Sequence, residues 1–131
     1  MKILKELVEI LDVRESETPS ERVFYSRDLA KIGDAMLNYI NVLITSAGYL
    51  SKSSKITNKM LREAVNKSGL RKKVKKRQTA RDLGNIVEAI VAYLVLNELL
   101  TEDQIVEMVI EKRSFEEALA SILKTFSDKI N

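Results

Sequence analysis

The chain has 131 residues, 45% of them hydrophobic and 31% charged, with a net charge of +3, which suits one helix-rich globular domain over residues 1–131 and is too short for two. It has no Cys and no His, which excludes disulfide scaffolds, thiolate or imidazole metal sites, Cys nucleophiles and His bases; any metal must be a hard cation held by oxygen. Acids come too early in MKILKELVEILDVRES for a signal peptide, and no apolar run is long enough to cross a membrane, so a cytoplasmic protein is expected. Abundant Lys, Glu and Arg beside two Gln is a thermophile-like composition, and a thermophilic source is expected with it.

In chain order, residues 2–11 place Ile3, Leu4, Leu7, Ile10 and Leu11 on one face of a short amphipathic helix. Thr18-Pro19-Ser20-Glu21 joins a capping box to a Pro at the first helical position, starting a long helix that runs to about Ala47, with a break expected near Tyr25–Arg27. Its predicted apolar stripe is Leu29, Ile32, Met36, Ile40, Leu43 and Ala47, with Ala30, Asp34, Asn38 and Asn41 opposite. Gly48 ends it. Thr57–Lys67 is predicted as the next helix, closed by Ser68-Gly69. A basic connection follows: Arg71, Lys72, Lys73, Lys75, Lys76, Arg77 and Arg81, with no acid among them. The other 15 basic residues face 19 acidic ones, so the positive charge of the chain is concentrated there.

Thr79 and Asp82 form a further box, opening a central helix from Ala80 to about Leu100. From Ile86 to Leu96 every residue but Glu88 is apolar, small or aromatic, the signature of a helix buried on all sides. An unpaired buried carboxylate costs several kcal/mol or protonates. A basic partner, a hydrogen-bond network or a bound cation must offset that cost. Thr101 with Gln104, and Ser114 with Glu117, cap two last helices ending near Glu111 and Lys129. No strand-period alternation appears. The expected fold is all-α, with about six helices.

Gly33-Asp34-Ala35 in the long helix echoes Gly84-Asn85-Ile86-Val87-Glu88-Ala89 in the central one. Small residues let helices approach closely, so Asp34 and Glu88 are expected to face one cleft. Two such carboxylates repel unless a cation such as Mg2+ or Mn2+ lies between them.

These residues resemble the nuclease domain of the ribonuclease III family. Its first motif, Glu-x-x-Gly-Asp-Ala, is matched by Ala30-Lys31-Ile32-Gly33-Asp34-Ala35, and its second, Asp-x-x-Glu-Ala, by Asn85-Ile86-Val87-Glu88-Ala89. Asn58, Leu61, Ala64, Gly69 and Leu70 fit the helix and Gly-Leu turn between the motifs. The resemblance covers roughly residues 22–110. It implies an all-α homodimer that cuts double-stranded or structured RNA with Mg2+ (or Mn2+), here in a short form like the Mini-III branch, with no double-stranded-RNA-binding domain. Ala30 and Asn85 replace two of the family's four metal-site acids, leaving Asp34 and Glu88 as catalytic and metal-binding residues. Asn85 and Asn38 are candidate neutral metal ligands. The resemblance makes the seven basic residues the duplex contact, because duplexes are bound chiefly through phosphates. The dimer interface is expected on the apolar surplus of the long and central helices.

Bland alternatives stand beside each feature: a solvated Asp34, a Glu88 paired with a buried cation, a solvated basic loop, and Tyr25, Tyr39 and Tyr93 as core or interface residues. At the level of the whole chain, a metal-dependent endoribonuclease is weighed against a catalytically silent duplex-RNA-binding relative and a helical protein–protein module.

Overall fold

Helix-start signals land where a side-chain oxygen reaches an otherwise unpaired amide. In the computed structural model, which describes residues 19–130, Ser26 Oγ accepts from Leu29 N at 3.2 Å and Thr57 Oγ1 from Met60 N at 3.2 Å. Thr79–Asp82 and Thr101–Gln104 close reciprocal capping boxes. Each cap is worth about 1 kcal/mol. The described residues form six helices and no strand: α1 (Pro19–Phe24), α2 (Arg27–Ser46), α3 (Asn58–Ser68), α4 (Ala80–Leu96), α5 (Glu102–Lys112) and α6 (Phe115–Asp128), with a 3-10 turn over Leu70–Lys73. The all-α expectation holds. The expected helix over residues 2–11, and Thr18 of its neighbour's cap, lie outside the described residues.

Three local expectations are corrected or sharpened. The break near Tyr25–Arg27 is real, because Ser26 caps α2 rather than continuing α1. The central helix ends at Leu96, earlier than Leu100, because Leu99 and Leu100 both donate their N–H to the Leu94 carbonyl and Glu98 turns left-handed at φ 60°. Ser114 caps α6 through Glu117 N, but the Glu117 carboxylate does not complete a box, being held by Lys67 Nζ along with Glu116.

Helix α4 is the central element, packed against α1, α2, α3 and α6. Ile86 through Ala92 are all buried, Glu88 included. Its most extensive partner is α2, and the reason for their closeness is Gly33. A Cβ there would lie 1.8 Å from the Glu88 carbonyl oxygen and 2.8 Å from its Cα, so only glycine admits this crossing. That contact also settles which face of α2 turns inward. The buried set is Leu29, Ala30, Gly33, Leu37, Ile40, Asn41, Ile44 and Thr45, so Ala30 and Asn41 leave the polar side to which the periodicity assigned them. Ile32 and Met36 are half-buried at its edge, while Leu43 is 47% exposed beside Tyr39 and Val42.

The basic connection is pinned rather than free. Gly69, left-handed at φ 83°, turns the chain out of α3. Leu70 and Val74 then anchor the segment in the core. Tyr25 Oη accepts from Lys75 N at 2.9 Å, and Lys75 Nζ lies over the Tyr25 ring, 4.4 Å from its centroid. No described helix is long and apolar enough to cross a membrane.

Candidate functional site

Because α2 and α4 touch at Gly33 and Glu88, Asp34 comes to the mouth of the crevice in which the Glu88 side chain is buried. Both line one cleft of about 660 Å3, together with Arg27, Lys31, Asn58, Arg81, Asp82 and Asn85. Glu88 is 7% exposed, and Asp34 is exposed. Burial, then a hydrogen bond to Asp34, then the charge of Asp34 push the Glu88 carboxyl up to about 8. None of its causes is a neighbouring cation. A basic partner for Glu88, one of the three ways to offset its burial, is thus missing among the described residues.

The remaining candidates divide. Asn85 is exposed on the cleft, three residues before Glu88 on α4. Asn38 lies one turn beyond Asp34 and meets it with its nitrogen, donating to Asp34 Oδ1 at 3.0 Å and to the Asp34 carbonyl at 2.9 Å. It does not line the cleft; it steadies the carboxylate that does. Arg81 sits on the cleft rim. Lys72, Lys75, Lys76 and Arg77 are exposed. Arg71 is half-buried and braces the segment by donating to the Lys75 carbonyl at 3.0 Å. Lys73 reaches the other way, donating to the carbonyls of Ser127 and, at 2.7 Å, Ile130, where it caps the end of α6.

Two cleft residues carried no motif signal, and a third, Asn58, was legible only as part of the helix between the motifs. Arg27 and Lys31 share the Asp34 face of α2 at helical spacing, which was readable only once that face was known to look into the site. Asn58 comes from α3, its Oδ1 lying 2.8 Å from where a Cβ on Gly84 would stand. No sequence spacing connects it to Asp34.

The donors of the cleft are hard oxygens, and among the described residues no three of Asp, Glu, His or Cys gather into a ready-made metal cage. Two carboxylates nevertheless match the way Mg2+ is commonly held, by one or two carboxylates with waters and substrate phosphates filling the other positions. A carboxyl driven toward protonation by burial and by a second carboxyl is the environment that such a cation relieves. The residues fit a divalent cation.

An all-α domain with a paired-carboxylate cleft between its two central helices, rimmed by Arg and Lys, is the class of protein these features define. The family model for ribonuclease III matches residues 27–131. The chain belongs to the ribonuclease III family, whose members are RNA-directed nucleases that generally use divalent metal ions. No curated protein and no solved structure matches it significantly.

Proposed function

We propose that the protein is a metal-dependent endoribonuclease that hydrolyses phosphodiester bonds in double-stranded or structured RNA, working in the cytoplasm as a homodimer. The observation that carries this reading is the meeting of Asp34 and Glu88 at one cleft with cations on its rim and no cation among the described residues paired with Glu88. Asp34 and Glu88 would hold Mg2+ or Mn2+, with Asn85 able to lend a neutral oxygen. Such an ion lowers the pKa of bound water and offsets charge on the leaving oxygen, which suits a chain without His. Asn38 keeps Asp34 in place, and Arg81 with Lys31 draws the phosphate backbone to the cleft. Lys72, Lys75, Lys76 and Arg77 extend that attraction along the duplex, in a salt-dependent manner.

A symmetric dimer would present two such clefts, one for each strand. Its contact surface falls on α2, which leaves Tyr39 58%, Val42 59% and Leu43 47% exposed, with Tyr49 60% exposed beyond its end. The apolar run of α4 is taken up inside the protomer, so the central helix contributes little to that surface.

Ala30 and Asn85, neutral where the family motif has acids, favour one other reading, a silent duplex-RNA binder. Incubating labelled duplex RNA with the protein, with and without Mg2+ or Mn2+, separates the two. Metal-dependent products that vanish in Asp34→Asn are expected. RNA binding without cleavage in either metal would establish the silent reading instead.

A further inference from the structure

A second cleft of about 310 Å3 adjoins the acidic one, at the lower end of the size range of small-ligand sites. Arg27, Ala30, Asp82 and Asn85 line both clefts, so the two meet along a shared wall. Ala30 and Asn85 are the two positions at which the chain departs from the family's acidic motifs. With a methyl group and a neutral amide at that wall, Asp82 is the one carboxylate among the residues lining the side cleft. The Asp82 carboxylate is itself engaged, Oδ2 accepting from Thr79 N at 2.9 Å.

The side cleft mixes apolar wall, from Phe24, Ala30 and Ile86, with the donors of Tyr25, Arg27 and Gln78. Neither Arg27 nor Gln78 has a hydrogen-bond or ion-pair partner among the described residues. Tyr25 Oη accepts from Lys75 N and keeps its own proton free to donate. A guanidinium matches phosphate geometry. A side-chain amide offers the donor–acceptor pair that a base edge presents in reverse. Along the basic segment Gln78 is the lone side-chain amide, so it is the group there equipped to tell one base from another.

We propose that this side cleft is a nucleotide subsite, holding the nucleotide next to the cleaved phosphodiester with Arg27 on its phosphate and Gln78 on its base. The proposal rests on the nuclease reading for its place in the reaction, but binding at the cleft does not require the metal.

The test uses the full chain without metal, titrated with 5′-nucleoside monophosphates and, separately, inorganic phosphate, and followed by NMR of the Arg27 and Gln78 side-chain N–H groups. Both resonances should shift with nucleotide, and inorganic phosphate should bind at least about tenfold more weakly, since it lacks the base contact. Arg27→Ala should weaken nucleotide binding about tenfold or more, Arg27→Lys less, and Gln78→Ala should remove the preference for nucleotide over phosphate. With RNA and Mg2+, Arg27→Ala should act mainly through a raised KM. Phosphate binding as tightly as nucleotide, or nucleotide affinity unchanged in Arg27→Ala and Gln78→Ala, overturns the subsite. Neither side chain has a partner among the described residues, so both variants should fold with wild-type melting temperatures. Nucleotide binding at this cleft in a protein that never cleaves RNA would sink the nuclease reading alone. Cleavage with an unchanged KM in Arg27→Ala would sink the subsite alone.

Discussion

Glu88 is where the cost of folding and the benefit of function meet. Its carboxyl moves from an ordinary 4.5 to about 8 in the folded protein, so the folded state holds that proton more tightly than the unfolded chain. The associated stability is complete below about pH 4.5 and is lost as pH rises through about 8, amounting to roughly 3–5 kcal/mol at most. We predict that the melting temperature of the metal-free protein falls across this window, and that Glu88→Gln, which cannot ionise, flattens the fall. The same variant should lose at least about a hundredfold in metal-dependent cleavage, roughly 3 kcal/mol of transition-state stabilisation, while still binding RNA. If Glu88→Gln instead melted well below the wild type at neutral pH, a buried cation would have to be its partner. Glu88 was legible in the sequence because it interrupts an apolar run. Arg27 was not, because an isolated Arg at a helix start looks like an ordinary surface residue until the helices are assembled; Asn58 fitted the helix between the motifs, but nothing in the sequence placed it at the cleft.

At the scale of the element, α2 and α4 are held at a separation that Gly33 alone permits. Gly33→Ala would drive a methyl to 1.8 Å from the Glu88 carbonyl oxygen, and backbone cannot swing aside as a side chain can. Destabilisation of about 3 kcal/mol or more is expected, read by chemical denaturation, with metal affinity falling as the two carboxylates part. A variant of wild-type stability would show that the helices are not this close. The basic segment makes a different prediction, because its lysines have different neighbours. Lys72, Lys75 and Lys76 changed to Ala should weaken RNA binding and lower its salt slope by about one for each phosphate no longer neutralised. Lys73→Ala should leave that slope unchanged and cost about 0.3–1 kcal/mol of stability, since its ammonium serves the carbonyl end of α6. Equal salt slopes in all four single variants would erase the distinction. The sequence showed a run of seven like charges; it did not show that Arg71 and Lys73 donate to carbonyls of the protein itself.

For the whole molecule, the exposed apolar group Tyr39, Val42 and Leu43 on α2 is the surface with which a second copy would close a symmetric dimer. Val42→Lys with Leu43→Lys should give a monomer by sedimentation at micromolar protein, with its helical content intact, because neither side chain is buried in the protomer. A wild-type protein that sediments as a monomer with and without RNA would remove the dimer. By itself the sequence determined the helix starts, the exclusion of His and Cys chemistry, the siting of positive charge before α4 and the pairing of Asp34 with Glu88 as the acids to watch. The first three rest on composition or on residues within about one turn of one another, which local hydrogen bonding and helical periodicity govern; the last rests on two short motifs, each read within its own helix. The tertiary structure alone decided which face of α2 meets α4, which lysines remain free, and that Ala30 and Asn85 share one wall between two clefts. Helix α2 is apolar on more than one side, so its periodicity admitted two packings; the close approach of Gly33 to the Glu88 backbone, 55 residues away in sequence, selected one.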